Sequence, residues 1–382
     1  MSKFLKIFLI TFTLMIFLTG CWDTKEINDR AFVNAIFIEK NFTNKPSELI
    51  SSKGSERDKE ELLVTYGIVS TAEGEASLKT ATTTIAATTL ADAEEKLDSQ
   101  TPDTPFFGHT KLIVFGKGIL EDPKLMQSIM DDLERKVLID RGIKIVATDN
   151  SKVTLDDIIP ATEMLYSSYT TGVMSSAKSI SYSVSMNMDR LFQNMRESNG
   201  RGMIPVVRVE NGSIKMDRVA ILKDYKLKEV MNPREIRNYK LFEGKDQNIK
   251  EYTDLNGFLT TFKLTSINRN ITYIKGGDHP KYHIEYIFEG AVENYTFEKQ
   301  IYNPKSTTKI KEDLKSSLKL QLEECQDYFQ NKLGVDYLGL DEFTRKYHPK
   351  EYKKYKNWDE AFQKAEISYG INIDILDFGD TK

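Results

Sequence analysis

Residues 306–334 read STTKIKEDLKSSLKLQLEECQDYFQNKLG. Ile310, Leu314, Leu318, Leu322, Cys325, Phe329 and Leu333 recur at spacings of three and four. That period lays one apolar stripe along a helix, and no other helical signal in the chain runs as long. Gly334 suits its end, because glycine takes the left-handed backbone of a helix cap at little cost. An apolar stripe has to be covered, and the neighbouring sequence supplies a cover. From about Gly257, FLTTFKLTSINRN, ITYIKGG, KYHIEYIFEGAV and YTFEKQI alternate apolar and polar residues, the period of a half-buried strand. After the helix, SYGINIDILDFG sets Ile371, Ile373 and Ile375 on one face. The expectation for residues 251–382 is an antiparallel sheet with one long helix, 306–333, packed on it.

Upstream the pattern changes. AFVNAIFIE (31–39) and ELLVTYGIV (61–69) are strand-like runs separated by a polar stretch, 41–60, that reads as a surface loop. Residues 74–98 read as a helix on an Ala-rich face of Leu78, Ile85, Leu90 and Leu97. HTKLIVFG (109–116) and GIKIVATD (142–149) read as strands, LEDPKLMQSIMDDLERK (120–136) as an amphipathic helix, and TLDDII (154–159) as a short one. Strand–helix alternation predicts an α/β domain over 21–197. A helix is expected from about Ser183 to Glu197, and ESNGRG (197–202) reads as a linker. Residues 198–250 then form a β-rich segment, with a hairpin turn at Asn211–Gly212 and a short helix opened by Pro233. The fold class expected is α+β (mixed α/β) and multidomain, with mixed sheets and packed helices. A chain of 382 residues fits more than one domain.

Composition narrows the function. The formal net charge is -4, so nothing in the bulk of the chain would neutralise a phosphate backbone, and nucleic acid is not an expected partner. The first twenty residues read as a secretory signal: Lys3 and Lys6, an apolar run Ile7–Leu18, then Thr19 and Gly20. The apolar run is shorter than the roughly 17 residues a spanning helix needs. Leu18-Thr19-Gly20-Cys21 resembles a bacterial lipobox, which predicts cleavage after Gly20 and an S-diacylglycerol and N-acyl group on Cys21. Several acyl chains anchor stably where one binds marginally. The expected partner is therefore a membrane, reached through lipid.

Chemistry has few candidates. The chain has no G-x-S-x-G, no P-loop and no H-E-x-x-H. Cys325 lies on the helix stripe and reads as a buried small hydrophobe. Asp278, His279, His283 and Glu285 lie close in sequence, but their setting reads as a hairpin turn and a polar strand, so no metal site is expected. Asp131/Asp132 and Asp156/Asp157 fall where helices favour acids. HPKEYKKYKNW (348–358) is basic and aromatic; it reads as a solvated loop with packed rings, or as a contact for lipid headgroups or an acidic partner. No catalytic residue, metal or cofactor is expected.

Just after the lipobox, Trp22, Asp23, Glu26 and Ile27 sit at the positions of the opening motif of mature Ger(x)C lipoproteins, and the chain resembles that family from there on. PFFGHTKLIVFGKGI (105–119), RVAILKDYKLKEVMNPREIRNYKLFEGK (218–245), GVDYLGLDEFTRKYHPKEYKKYKNW (334–358) and the closing INIDIL with Gly379 are similar to family blocks in the same order. Lys228 and Glu229, Asn238 and Asp341 stand where relatives often carry glycine, and each is expected to change a turn or a surface. The resemblance implies a lipid-anchored, non-catalytic C subunit of a nutrient germinant receptor on the outer face of the inner spore membrane. It also implies two integral membrane partners, the A and B subunits. The alternative reading is a solute-binding lipoprotein of a membrane import system, which also begins with a lipobox but needs a ligand cleft between two lobes.

Overall fold

A computed structural model describes residues 30–377 apart from 44–59, 72–77, 137–138, 159–171, 173–174, 176–182, 212, 246–248, 256–257, 276 and 295–303. Two sheets organise it. The first has nine strands: β1 (Arg30–Lys40), β2 (Leu62–Thr71), β3 (Leu78–Ala87), β4 (Thr104–Phe106), β5 (Leu112–Phe115), β6 (Lys144–Ala147), β7 (Gly202–Glu210), β8 (Ser213–Lys223) and β9 (Lys226–Met231). Their spatial order is β3-β2-β1-β5-β6-β7-β8-β9, with β4 also beside β1. The centre, β1, β5, β6 and β7, is parallel, and antiparallel hairpins extend it on both sides.

The central strands are apolar on both faces, as buried parallel strands must be. Ile113 and Phe115 of β5 face a large core, and Leu112 and Val114 face a smaller one on the other side. Helices α1 (Leu90–Gln100) and α3 (Pro123–Arg135) and the later α4 (Met188–Glu197) cover the first face with Leu97, Ile129, Leu133 and Leu191. Between β5 and α3 sits the one-and-a-half-turn α2 (Lys117–Glu121). Gly116 before it has no room for a side chain: a Cβ there would lie 2.3 Å from Glu39 Oε2. Glu39, at the end of β1, instead accepts the Gly118 N–H at 2.9 Å.

Several sequence expectations are corrected. Residues 78–87 are a strand, not the start of a helix; they pair with β2 over ten positions. The run of Thr80, Thr82, Thr83, Thr84 and Ile85 is β-branched and suits a pleated surface better than a helix. The helix begins only at Leu90, where the Thr89 side chain accepts the Asp92 N–H. The stretch 155–158 is a turn, although Leu155 and Ile158 are buried in the smaller core. Helix α4 starts at Met188, capped by Asn187, rather than near Ser183. ESNGRG does not separate two sheets: it turns the chain from α4 into β7, within the nine-stranded sheet.

The second sheet is β10 (Ile249–Leu255), β11 (Phe258–Ile274), β12 (Lys281–Asn294) and β13 (Glu366–Asp377), in that order. Helix α5 (Pro233–Glu243) leads into it, opened by a capping box of Asn232 and Glu235. The first three strands are antiparallel as expected, but β13 runs parallel to β12. A parallel neighbour needs a long crossover, and the 71 or so residues between the two strands, helices included, provide it. Helix α6 (Pro304–Asp327) carries the stripe read from the sequence: Ile310, Leu314, Leu318 and Leu322 are fully buried. It continues through a π-helical turn, Tyr328–Leu333, and ends at Gly334 with φ 64°. The stripe shares one hydrophobic core with Phe262, Leu264, Ile284, Tyr286, Phe288 and Ile373. Glu251 of β10 fastens the layers, accepting from Arg237 of α5 at 2.6 Å and from Gln321 of α6 at 2.9 Å. Three short helices, α7 (Leu340–Tyr347), α8 (Pro349–Tyr352) and α9 (Trp358–Gln363), return the chain to β13.

Candidate functional site: the junction between the sheets

Where the start of β7 meets the segment after α6, a cleft of about 720 Å³ opens. Asp336 is its structural centre. Directly after the Gly334 cap, the chain turns so that Asp336 Oδ1 accepts the Leu338 and Gly339 N–H groups at 2.9 and 3.1 Å. Its Oδ2 accepts the Asp341 N–H at 2.7 Å and the Trp358 indole N–H at 2.9 Å. One buried carboxyl thus holds the start of α7 and the start of α9 together. Burial pushes its pKa up to about 7; the Asp341 carboxylate adds to the rise, and the donors and Arg201 oppose it.

Arg201 ties this knot to the nine-stranded sheet. It donates to the Asp336 carbonyl at 3.1 Å and to Asp341 Oδ2 at 3.0 Å, and lies 3.5 Å from Asp359. Lys223, ending β8, reaches Asp359 at 2.8 Å. The Tyr337 hydroxyl accepts the Gly202 N–H at 3.1 Å and donates to the Leu222 carbonyl. Ion pairs this sheltered are strong locators because removing one partner strands the other. Deeper in the cleft, Lys240 is buried and donates to the Ser183 carbonyl at 3.0 Å. Arg190 and Lys245 both approach Glu243, at 3.5 and 2.7 Å. Most of the charges on the walls thus already have partners, an arrangement suited to fixing two sheets against each other.

The other candidate residues fall elsewhere. Cys325 is buried on the stripe and burial raises its thiol well above the usual range, so it stays a protonated hydrophobe. His279 pairs with Glu366 at 2.7 Å, and His283 bonds Ser368 and Glu285 at 2.9 and 3.2 Å. The first ties the turn before β12 to β13, the second joins β12 to β13, and the third runs along β12 itself, all on the open face of the second sheet. Among the described residues no three metal-binding side chains converge, and no helix is long and apolar enough to cross a membrane. Asp131 pairs with Arg135 at 3.0 Å, and Asp157 accepts the Thr154 N–H at 2.8 Å. Cys21, Trp22, Asp23, Glu26 and Ile27 lie outside the described residues.

The blocks that carry the family resemblance meet in space. Residues 218–245 supply β8, β9 and α5; residues 334–358 supply the Asp336 knot, α7 and α8. They join through Tyr337 and Leu222. Two of the departures make defined contacts: Asn238 is buried and donates to Glu324 at 2.9 Å, and the half-buried Asp341 is the partner of Arg201. Residues 23–209 match the family described as the spore germination protein N-terminal domain. Residues 217–379 match the family described as spore germination B3/GerAC like, C-terminal. The chain belongs to the Ger(x)C family of spore germination proteins.

Relatives agree along the full length of this Ger(x)C chain. It is 25% identical over 406 residues to spore germination protein YndF of Bacillus subtilis (strain 168), covering 100% of this chain and 98% of that protein. It is 22% identical over 395 residues to spore germination protein A3 of the same organism, covering 97% of each. The crystal structure of the GerBC protein superposes with a TM-score of 0.60 at 18% identity, over 87% of this chain and 100% of that one. That likeness concerns the fold. A Ger(x)C chain of this kind acts in spore germination, in the C-subunit class of germinant receptors, and an import-system binding protein is not favoured. Arg201 and Asp336 were missed by sequence reasoning. The available signal was an acidic residue set between a helix-capping glycine and a Gly-Leu-Asp helix start.

Proposed function

We propose that the chain is a lipid-anchored, non-catalytic C subunit, held on the outer face of the inner spore membrane through Cys21 and assembled with integral membrane A and B subunits. The observation that carries this reading is placement. The family match begins at residue 23, two residues after the lipobox cysteine, so the targeting signal and the family body adjoin without a spacer. A body built from two internally paired sheets suits a rigid subunit that couples to partners. Trp22, Asp23, Glu26 and Ile27 then form the membrane-proximal start of that body, and residues 1–20 are a signal removed on export.

The test is the mass of the N-terminal peptide from membranes, together with germination of spores carrying Cys21→Ala. A peptide beginning at Cys21 with diacylglycerol and an N-acyl chain is expected. The variant is expected to keep residues 1–20, carry no lipid label and germinate poorly in nutrient. An unlipidated peptide, or a variant that germinates as well as wild type, contradicts the reading.

A further inference from the structure

The basic aromatic run singled out in the sequence has a defined form. Tyr352 stacks on Trp358 with ring centroids 5.0 Å apart, and Tyr355 meets the same indole edge-on at 5.8 Å. Tyr273 of β11 stacks on His348 at 5.0 Å and shares a hydroxyl contact with Tyr355 at 3.2 Å. With every third residue turned inward, Lys350, Lys353, Lys354 and Lys356 are left exposed. Lys354 donates to Glu351 at 2.6 Å. Lys275, from the β11–β12 turn, also bears on the Glu351 carboxylate, so that turn adds a further cation. Lys275, Lys346, Lys350, Lys353 and Lys356 have no ion pair among the described residues, whereas most charges around the cleft are paired. Residues 346–356 carry net +4 in a chain of net -4. Tyr347 beside them is 60% exposed, an amphipathic ring of the kind that sits at headgroup level.

Position points the same way. Strands β1, β5, β6 and β7 are parallel, so Arg30 and Gly202 lie toward the same end of the sheet, about 20 Å apart given three strand spacings and an offset of about four residues along the strands. Gly202 bonds Tyr337, next to Asp336, which holds Trp358, on which the basic segment is packed. The nine residues from Cys21 to Arg30 reach about 30 Å at most. The end of the body nearest the anchor is therefore also the end that carries the unpaired lysines.

We propose that the surface formed by residues 346–356, with Lys275, is a headgroup-binding face that lies against anionic lipid and sets how the anchored body stands on the membrane. The choice of membrane rests on the anchored reading of Cys21. An anionic leaflet attracts clustered lysines within a Debye length, and the remaining, acidic surface is repelled, so one orientation is favoured.

The lipidated full-length chain is floated with phosphatidylcholine vesicles and with vesicles of equal phosphatidylcholine and phosphatidylglycerol, then briefly acetylated and mapped by mass spectrometry. Flotation with phosphatidylcholine reports the anchor alone, and lysine protection reports the face. Acetylation of Lys350, Lys353 and Lys356 is expected to slow by about threefold or more on the mixed vesicles, and by less in high salt. Lys319, exposed on α6, serves as the control and should not change. In the K350Q/K353Q/K356Q chain the protection of Lys346 should fall to its phosphatidylcholine level. Equal acetylation on the two vesicle types overturns the proposal. Protection that arises only with native membranes containing protein also overturns it and assigns the face to an acidic protein partner.

Discussion

The two sheets bury themselves differently, and their sequences differ accordingly. At the centre of the nine-stranded sheet, both sides of each strand meet packed side chains: Ile113 and Phe115 on one face, Leu112 and Val114 on the other. In the four-stranded sheet only one face is covered among the described residues. Along β12, Tyr282, Ile284, Tyr286 and Phe288 are buried on the face covered by helices, with Tyr282 meeting Thr344 of α7 and Tyr286 meeting Phe242 of α5, while Lys281, His283, Glu285 and Glu289 face outward. The first kind of strand reads as an uninterrupted apolar run and the second as strict alternation. The difference also separates tasks. The doubly covered sheet holds the body rigid, and the singly covered sheet leaves a polar face and a hairpin end exposed.

Parity therefore matters in one sheet and not in the other. Val114→Asp puts a charge into the smaller core with no partner, and should destabilise by about 4 kcal/mol or prevent soluble expression. Phe288→Ala, on the covered face of β12, should cost about 3 to 4 kcal/mol in urea unfolding. The sheets are joined at Arg201; Arg201→Met leaves Asp341 without its cation and Asp359 with Lys223 alone, and should cost about 2 kcal/mol. Asp336 gives the junction a pH dependence. Its carboxyl holds a proton up to about 7 in the folded chain but releases it near 4 when unfolded. The folded state therefore binds that proton more tightly, and stability falls as pH rises across this window. Asp336→Asn should flatten that part of the thermal unfolding profile. The smallest effect belongs to the open face: Asn270→Thr on β11 should change stability by no more than about 0.5 kcal/mol.

What the sequence revealed follows from the same contrast. Alternation in KYHIEYIFEGAV and the three–four spacing of the α6 stripe are local signals, and both elements formed where they were expected. Strand β3 was hidden because its outward residues are threonines and alanines, which blur the period, and its partner rather than its own pattern decided it. The parallel direction of β13 was not legible, since it depends on β12, some eighty residues earlier. Arg201 was concealed by glycine neighbours that resemble a linker, and its ion pairs come from residues about 140 positions away. Cys21 is the opposite case. The lipidation proposed for it is read entirely from adjacent residues, because the machinery that reads a lipobox acts on a linear stretch.

The central claim is that this germination protein works as a lipid-tethered body. Mass spectrometry of its N-terminal peptide from spore membranes tests that most directly. The account predicts a chain that begins at Cys21 and carries both the thioether-linked diacylglycerol and an amide-linked acyl group. A chain that begins elsewhere, or a Cys21 with a free thiol, would contradict it.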